Sequence, residues 1–269
     1  MRTKEEIVTN WLPRYTDTPV DKFGKYILLT NFISYVHEFA RREQAEIRGL
    51  HRPMQTVTSA DGITMVNFGM GSPNAATICD LLSVVQPHAV LFLGKCGGLR
   101  DFIHVGDFIL PIAAVRAEGT SDSYYPSEIP ALPSFQLQKA VSHTIVANSQ
   151  KYHTGTIYTT NRRVWEHDDD FKSYLRRTRC IGIDMETATM FIASFANHIP
   201  HGAFLLVSDM PMTPEGVKTD RSDDTVTARY AELHLKIGIE SLRELKSSGE
   251  SVRYLVFLEV PMPVSLPRA

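Results

Sequence analysis

The chain has 269 residues, 43% of them hydrophobic and 22% charged. A chain of this size and composition folds around its own core without needing metals or disulfides, which excludes disorder as its main state. Its 28 basic residues are balanced by 30 acidic ones, a formal net charge of -2; no general field holds a polyanion, so nucleic acid is disfavoured as the main partner and a small molecule fits better.

In chain order, short β-rich apolar runs predict strands near Tyr26 to Thr30, Ile63 to Phe68, Ala89 to Leu93, Asp107 to Val115, Gly155 to Thr160, Cys180 to Ile183 and Ala203 to Val207. Helical stretches alternate with them. The clearest helix start is Ser72-Pro73, where serine can cap free amides and proline suits the first turn, ahead of Ala76, Ile78, Leu81, Leu82 and Val85. Further helices are expected over Phe135 to Ala147, Glu166 to Arg176, Thr187 to Asn197 and Asp224 to Ser247. This alternation is the pattern of one α/β layered domain, and the sequence contains no internal repeat or domain linker. The Pro- and Tyr-bearing segment Ser121 to Pro133 reads as a long excursion, a kind of loop that is often functional. Asp168-Asp169-Asp170 reads as a solvated helix start rather than a metal site. The tail, residues 247–269, ends in Val-Pro-Met-Pro-Val-Ser-Leu-Pro and is expected to be extended or frayed.

The longest apolar runs fall far short of the roughly 20 residues that a membrane-spanning helix needs, so no bilayer crossing is expected. The polar, acid-bearing start Met1-Arg-Thr-Lys-Glu-Glu argues against a secretory signal. Cys79, Cys96 and Cys180 are odd in number and widely spaced, which points to reduced thiols filling the core in a cytoplasmic compartment.

Four segments can carry chemistry. Gly69-Met-Gly71-Ser72-Pro73 follows a predicted strand and opens a helix, so its amides can approach an anion or a sugar, though such a glycine pair is as often plain turn geometry. Gly94-Lys95-Cys96-Gly97-Gly98 reads as a second glycine-rich turn with one cation among exposed amides; phosphate contact and an ordinary surface lysine are the alternatives. Asp184-Met185-Glu186-Thr187 and Ser208-Asp209 put acids at the ends of two predicted buried strands, where ligands bind in open α/β sheets. Singly, Glu186 could serve only the dipole of the helix that follows it, and Asp209 could be a turn residue before Pro211.

Taken together, the strand-end acids and glycine segments resemble the nucleoside phosphorylase and nucleosidase superfamily of the purine and uridine phosphorylase type. Within it the likeness is to the AMP nucleosidases, through Asn10-Trp-Leu-Pro-Arg-Tyr15, Phe92-Leu-Gly-Lys-Cys-Gly-Gly98, Tyr158-Thr-Thr-Asn-Arg-Arg163, Asp184-Met-Glu-Thr187 and Pro214-Glu-Gly-Val-Lys-Thr219. It runs from Trp11 to about Tyr254 and implies a short form lacking the N-terminal regulatory domain of longer members. The implied fold is a three-layer α/β single domain with a central mixed, partly barrel-like sheet flanked by helices.

The implied reaction is hydrolysis of AMP to adenine and ribose 5-phosphate, with no cofactor and no metal. The resemblance makes Asp209 the general acid toward N7 of adenine, which calls for a buried setting that keeps it protonated. It makes Glu186 an ionised acceptor for the ribose hydroxyls, with Met185 and Met70 against the sugar. Tyr158, Thr159, Trp165 and Ser208 become base-binding candidates. Arg48, Lys95, Gly97, Arg116 and Arg163 become phosphate-binding candidates, with Arg162 ranked beside them. Phosphorylases of this type hold inorganic phosphate with a glycine, an aspartate and an arginine after the first strand; Leu29-Thr30-Asn31-Phe32-Ile33 lacks them, which favours water as acceptor. In hexameric relatives the arginine matching Arg48 crosses to the neighbouring active site, so a homo-oligomer, a hexamer built as a trimer of dimers, is implied. The competing readings are a phosphorylase or nucleosidase acting on unphosphorylated nucleosides, and an inactive nucleotide-binding sensor on the same fold.

Overall fold

The computed structural model describes residues 2–249 and Val252. In chain order the elements are α1 (Lys4–Thr16), β1 (Tyr26–Thr30), α2 (Ile33–Glu43), β2 (Gln55–Thr58), β3 (Ile63–Asn67), α3 (Ser72–Leu82), β4 (Ala89–Gly98), β5 (Phe108–Ala117), α4 (Phe135–Ala147), β6 (His153–Thr160), α5 (Asp169–Thr178), β7 (Gly182–Asp184), α6 (Thr187–Ala196), β8 (His201–Asp209) and α7 (Asp220–Ser248). Of the tail predicted to be extended, residues 247–269, only 247–249 and Val252 are among the described residues, and α7 runs to Ser248, where that tail was expected to begin.

The strands form one mixed sheet in the order β2-β3-β1-β4-β7-β6-β5-β8, and a further β4–β8 pairing closes the last five into a barrel. β4 makes this closure possible because it has partners along its whole length. Its first half lies parallel to β1, Val90 to Gly97 run parallel to β8, and its last residues turn antiparallel to β7 through Gly97↔Ile183 and Gly98↔Gly182. The segment Gly94 to Gly98, expected as a turn, is therefore strand. Glycine is required at its end: a Cβ on Gly97 would meet Pro211 at 2.8 Å, and one on Gly98 would meet the Met210 sulfur at 2.5 Å.

Period-two alternation builds the layers. Ile27, Leu29, Val90 and Phe92 face a core shared with α1, α3 and α6. Leu28, Ala89, Leu91 and Leu93 face the opposite core, shared with α2, α4 and α7. A smaller cluster of Tyr158, Trp165, Leu175, Cys180 and Ile183 lies under α5. The three cysteines are free and buried, and no helix among the described residues is long and apolar enough to cross a membrane.

Local signals explain several boundaries. Asp168 caps α5 by accepting the Phe171 amide at 2.9 Å, so the acidic triplet is a helix start, as expected. The excursion after β5 packs on α3 and α6. Its Tyr124 hydroxyl donates to Asp80 of α3 at 2.7 Å, and its Tyr125 ring packs on Phe195 of α6.

Candidate active site

The carboxyl ends of β1, β3, β4, β7 and β8 converge on one cleft of about 200 Å³, the position where open α/β sheets bind ligands. Glu186 and Asp209, from the ends of β7 and β8, both line it, together with Met70, Lys95, Gly97, Arg163, Trp165, Met185 and Ser208. The cleft thus unites most of the candidate residues.

Glu186 is built in from three sides. Gly71, at φ 92°, turns its amide to donate to Glu186 Oε1 at 2.7 Å, and the Met185 amide donates to Oε2 at 3.2 Å. The Asn31 side chain, just after β1, also hydrogen-bonds the carboxylate. Burial nevertheless pushes the Glu186 carboxyl up, and the nearby Asp184 carboxylate adds to the shift. The ionised state expected from sequence is therefore held less firmly in the open cleft. Sugar hydroxyls donating to it would favour the anion.

Asp184, the last residue of β7, is itself buried, and burial raises its carboxyl as well. Thr159 Oγ1 donates to its Oδ1 at 2.7 Å, and the Thr187 amide donates to its Oδ2 at 3.0 Å, joined there by the Thr187 hydroxyl.

Asp209 sits differently. Ser208 Oγ donates to its Oδ1 at 2.6 Å, and Lys218 Nζ lies 3.6 Å from the same oxygen. Its side chain is 12% exposed, so the setting is largely buried but polar, with a lysine beside the carboxyl.

Lys95 Nζ donates to Thr227 at 2.7 Å and lies 4.4 Å from the Phe32 ring centroid, a buried cation at the cleft wall. Arg163 is half-exposed and weakly paired with Glu166, and Arg162 is paired with Asp168; both line the cleft. Trp165 reaches the cleft from a buried position against Phe171.

Three expectations are corrected. Arg116 is no cleft cation: its guanidinium is buried and bonds Ser121, Asp122 and the carbonyls of Tyr125, Pro126 and Ile129, so all five donors organise the loop after β5. Tyr158 and Thr159 lie behind the cleft wall, the first in the α5 cluster and the second bonded to Asp184 and to the Ala188 amide. Ser72 does not cap α3 but donates to the Met185 carbonyl at 2.7 Å. Arg48, expected to serve a neighbouring copy's site, lies off the cleft of its own chain, half-exposed and 3.9 Å from Glu46.

Asn31, Asp184, Glu166 and Lys218 line the cleft without having been singled out as site residues. Lys218 falls inside the Pro214 to Thr219 motif, which carried a usable signal. Asn31 occupies the segment where the phosphorylase pattern is missing. Among the described residues no cluster of three or more His, Cys, Asp or Glu could hold a metal.

A closed mixed barrel with buried strand-end acids and glycine-turn amides on one cleft defines a class, and the chain belongs to it: the Phosphorylase superfamily model matches residues 25–243. Among individual relatives, the chain is similar to AMP nucleosidase of Escherichia coli (strain K12), at 30% identity over 89% of this chain and 58% of that one. The chain thus spans little more than half the length of that curated relative. The crystal structure of AMP nucleosidase from Bacteroides thetaiotaomicron VPI-5482 is similar at 52% identity and a TM-score of 0.82, covering 92% of this chain and all of that one. Guanosine phosphorylase of Halorubrum lacusprofundi is 28% identical over 68% of this chain and 76% of its own length.

Proposed function

We propose that the protein hydrolyses the N-glycosidic bond of AMP, giving adenine and ribose 5-phosphate. The observation that carries this reading is the placement of Glu186 and Asp209, from the ends of two strands, on one cleft. The similarity to a solved AMP nucleosidase over its full length supports the choice of substrate.

Glu186 accepts hydrogen bonds from the 2'- and 3'-hydroxyls and favours the positive charge that grows on the ring as the bond to the base breaks. Met70 and Met185 flank the sugar. Asp209, oriented by Ser208, gives its proton to N7, so the bonding electrons leave with a neutral base. Water supplies hydroxyl to C1', and its remaining proton restores Asp209. Trp165 and Ser208 border the base; Lys95, Gly97 and Arg163 border the 5'-phosphate, with Arg48 supplied by a neighbouring copy in a closed homohexamer. Three free buried thiols fit a reducing cytoplasm, and the reading treats the chain as a single catalytic domain.

The test is incubation with AMP in phosphate-free buffer. Release of adenine and ribose 5-phosphate supports hydrolysis; turnover that needs added phosphate, or that occurs only with unphosphorylated nucleosides, supports the phosphorylase or nucleosidase reading.

A further inference from the structure

Two buried carboxylates, two residues apart, stand in the cleft wall, and only Glu186 has a task in the reaction. Asp184 has none, yet its setting is elaborate. Both of its oxygens are taken by donors from two elements, Thr159 at the end of β6 and Thr187 at the start of α6. Thr159 in turn accepts the Ala188 amide at 2.9 Å, so strand, acid and helix are locked together. Hydrogen bonds of this kind hold a carboxylate in its charged form. Among the described residues neither Asp184 nor Glu186 takes part in an ion pair closer than 4.0 Å, so nothing at contact distance neutralises the first charge before it reaches the second.

We infer that Asp184 is a positioning residue whose fixed negative charge, held by Thr159 and Thr187, makes the grip of Glu186 on the sugar depend on pH. The inference rests on the proposed role of Glu186 in holding the ribose. As pH falls, the proton that the buried pair takes up settles on Glu186, because the three donors from Thr159 and Thr187 to Asp184 lie at 3.0 Å or less while the amide on Glu186 Oε2 lies at 3.2 Å. A protonated Glu186 accepts the sugar hydroxyls poorly, and productive binding declines. Burial raises both carboxyls, and the Asp184 charge adds to the shift at Glu186.

The other charged groups lining the cleft are Lys95 from β4, Arg162, Arg163 and Glu166 from the segment after β6, and Asp209 and Lys218 from β8 and the segment beyond it. They are unchanged by substitution at Asp184, as is the titration of the AMP phosphate, so a displacement between variants reports Asp184 itself.

The experiment measures kcat/KM for AMP against pH in the wild type, Asp184→Asn and Asp184→Glu. Removing the charge is expected to move the acid limb of the Asn variant to lower pH by about one unit. The Glu variant keeps the charge while disturbing the geometry, so it loses rate with its limb in place. Thr159→Val, which removes one donor from Asp184, moves the limb in the same direction by less and serves if Asp184→Asn does not fold. A uniform loss of rate with an unmoved limb in the charge-removed variant overturns the inference and leaves Asp184 a purely structural residue. If the wild type releases no adenine from AMP, the proposed function fails and the inference fails with it; with an active wild type, only the inference is at stake.

Discussion

The Ser72 hydroxyl donates to the carbonyl of Met185 at 2.7 Å, a bond spanning 113 residues of sequence. It ties the first residue of α3 to the junction between β7 and α6. The neighbouring Gly71 amide reaches Glu186 Oε1 across the same gap. Ser72→Ala removes the tie and leaves the Met185 carbonyl without its donor. A loss of about 1 kcal/mol in urea unfolding is expected, with a raised KM for AMP because the Met185-Glu186 pair loses its fixed position.

In the proposed reaction Asp209 and Glu186 divide the chemistry between base and sugar, so their substitutions should differ in kind. Asp209→Asn is expected to lower kcat by on the order of a hundredfold or more, with KM little changed. Glu186→Gln should weaken binding and rate together. A fully active Asp209→Asn would remove that residue from the acid role.

Arg116 tests a correction. Its five donors hold the loop after β5 and none lies on the cleft. Arg116→Met takes the shared donor from the carbonyls of Tyr125, Pro126 and Ile129 and should cost about 1 to 2 kcal/mol in denaturant unfolding. The folded fraction should keep the wild-type KM for AMP, which a phosphate clamp would not.

Much of the scaffold was legible in the sequence because it follows local rules. Tyr26–Thr30 and Phe135–Ala147 have the predicted ends, and the other predicted strands are present with shifted ends. The missing signals are long-range. Gly94 to Gly98 has turn composition, but pairing to β8 and β7 and the close approach of Met210 and Pro211 make it strand. β2, Gln55–Thr58, is a four-residue edge strand without an apolar run, and α1 and α2 were not delimited. The strand-end acids were legible by position. Which side chains face the cleft was not: adjacent residues Tyr158 and Thr159 turn away from it, while Asn31 and Lys218 reach it from distant segments.

His234 gives the fold a pH-dependent element that does not line the cleft. It is buried, its Nδ1 accepting from the Tyr35 hydroxyl at 2.8 Å and its Nε2 donating to the Phe204 carbonyl at 2.9 Å. Desolvation pushes its pKa down to about 3. The unfolded chain takes up a proton near pH 6.5, which the folded site refuses, so the stability His234 contributes is present above about 6.5 and is lost as pH falls toward 3. Asp184 and Glu186 act in the opposite sense, since their raised carboxyls favour the folded state as pH falls. Comparison with His234→Gln isolates the histidine. The stability advantage of the wild type should shrink by about 2 kcal/mol between pH 7 and pH 5 in urea titrations.

The identity of the group that attacks C1' is the most direct test of the account. AMP is turned over in water enriched in heavy oxygen, with inorganic phosphate present, and the sugar product is analysed by mass spectrometry. The account predicts ribose 5-phosphate carrying the heavy oxygen at C1 in step with adenine release. Ribose 1,5-bisphosphate without label at C1, or no adenine at all, would contradict it.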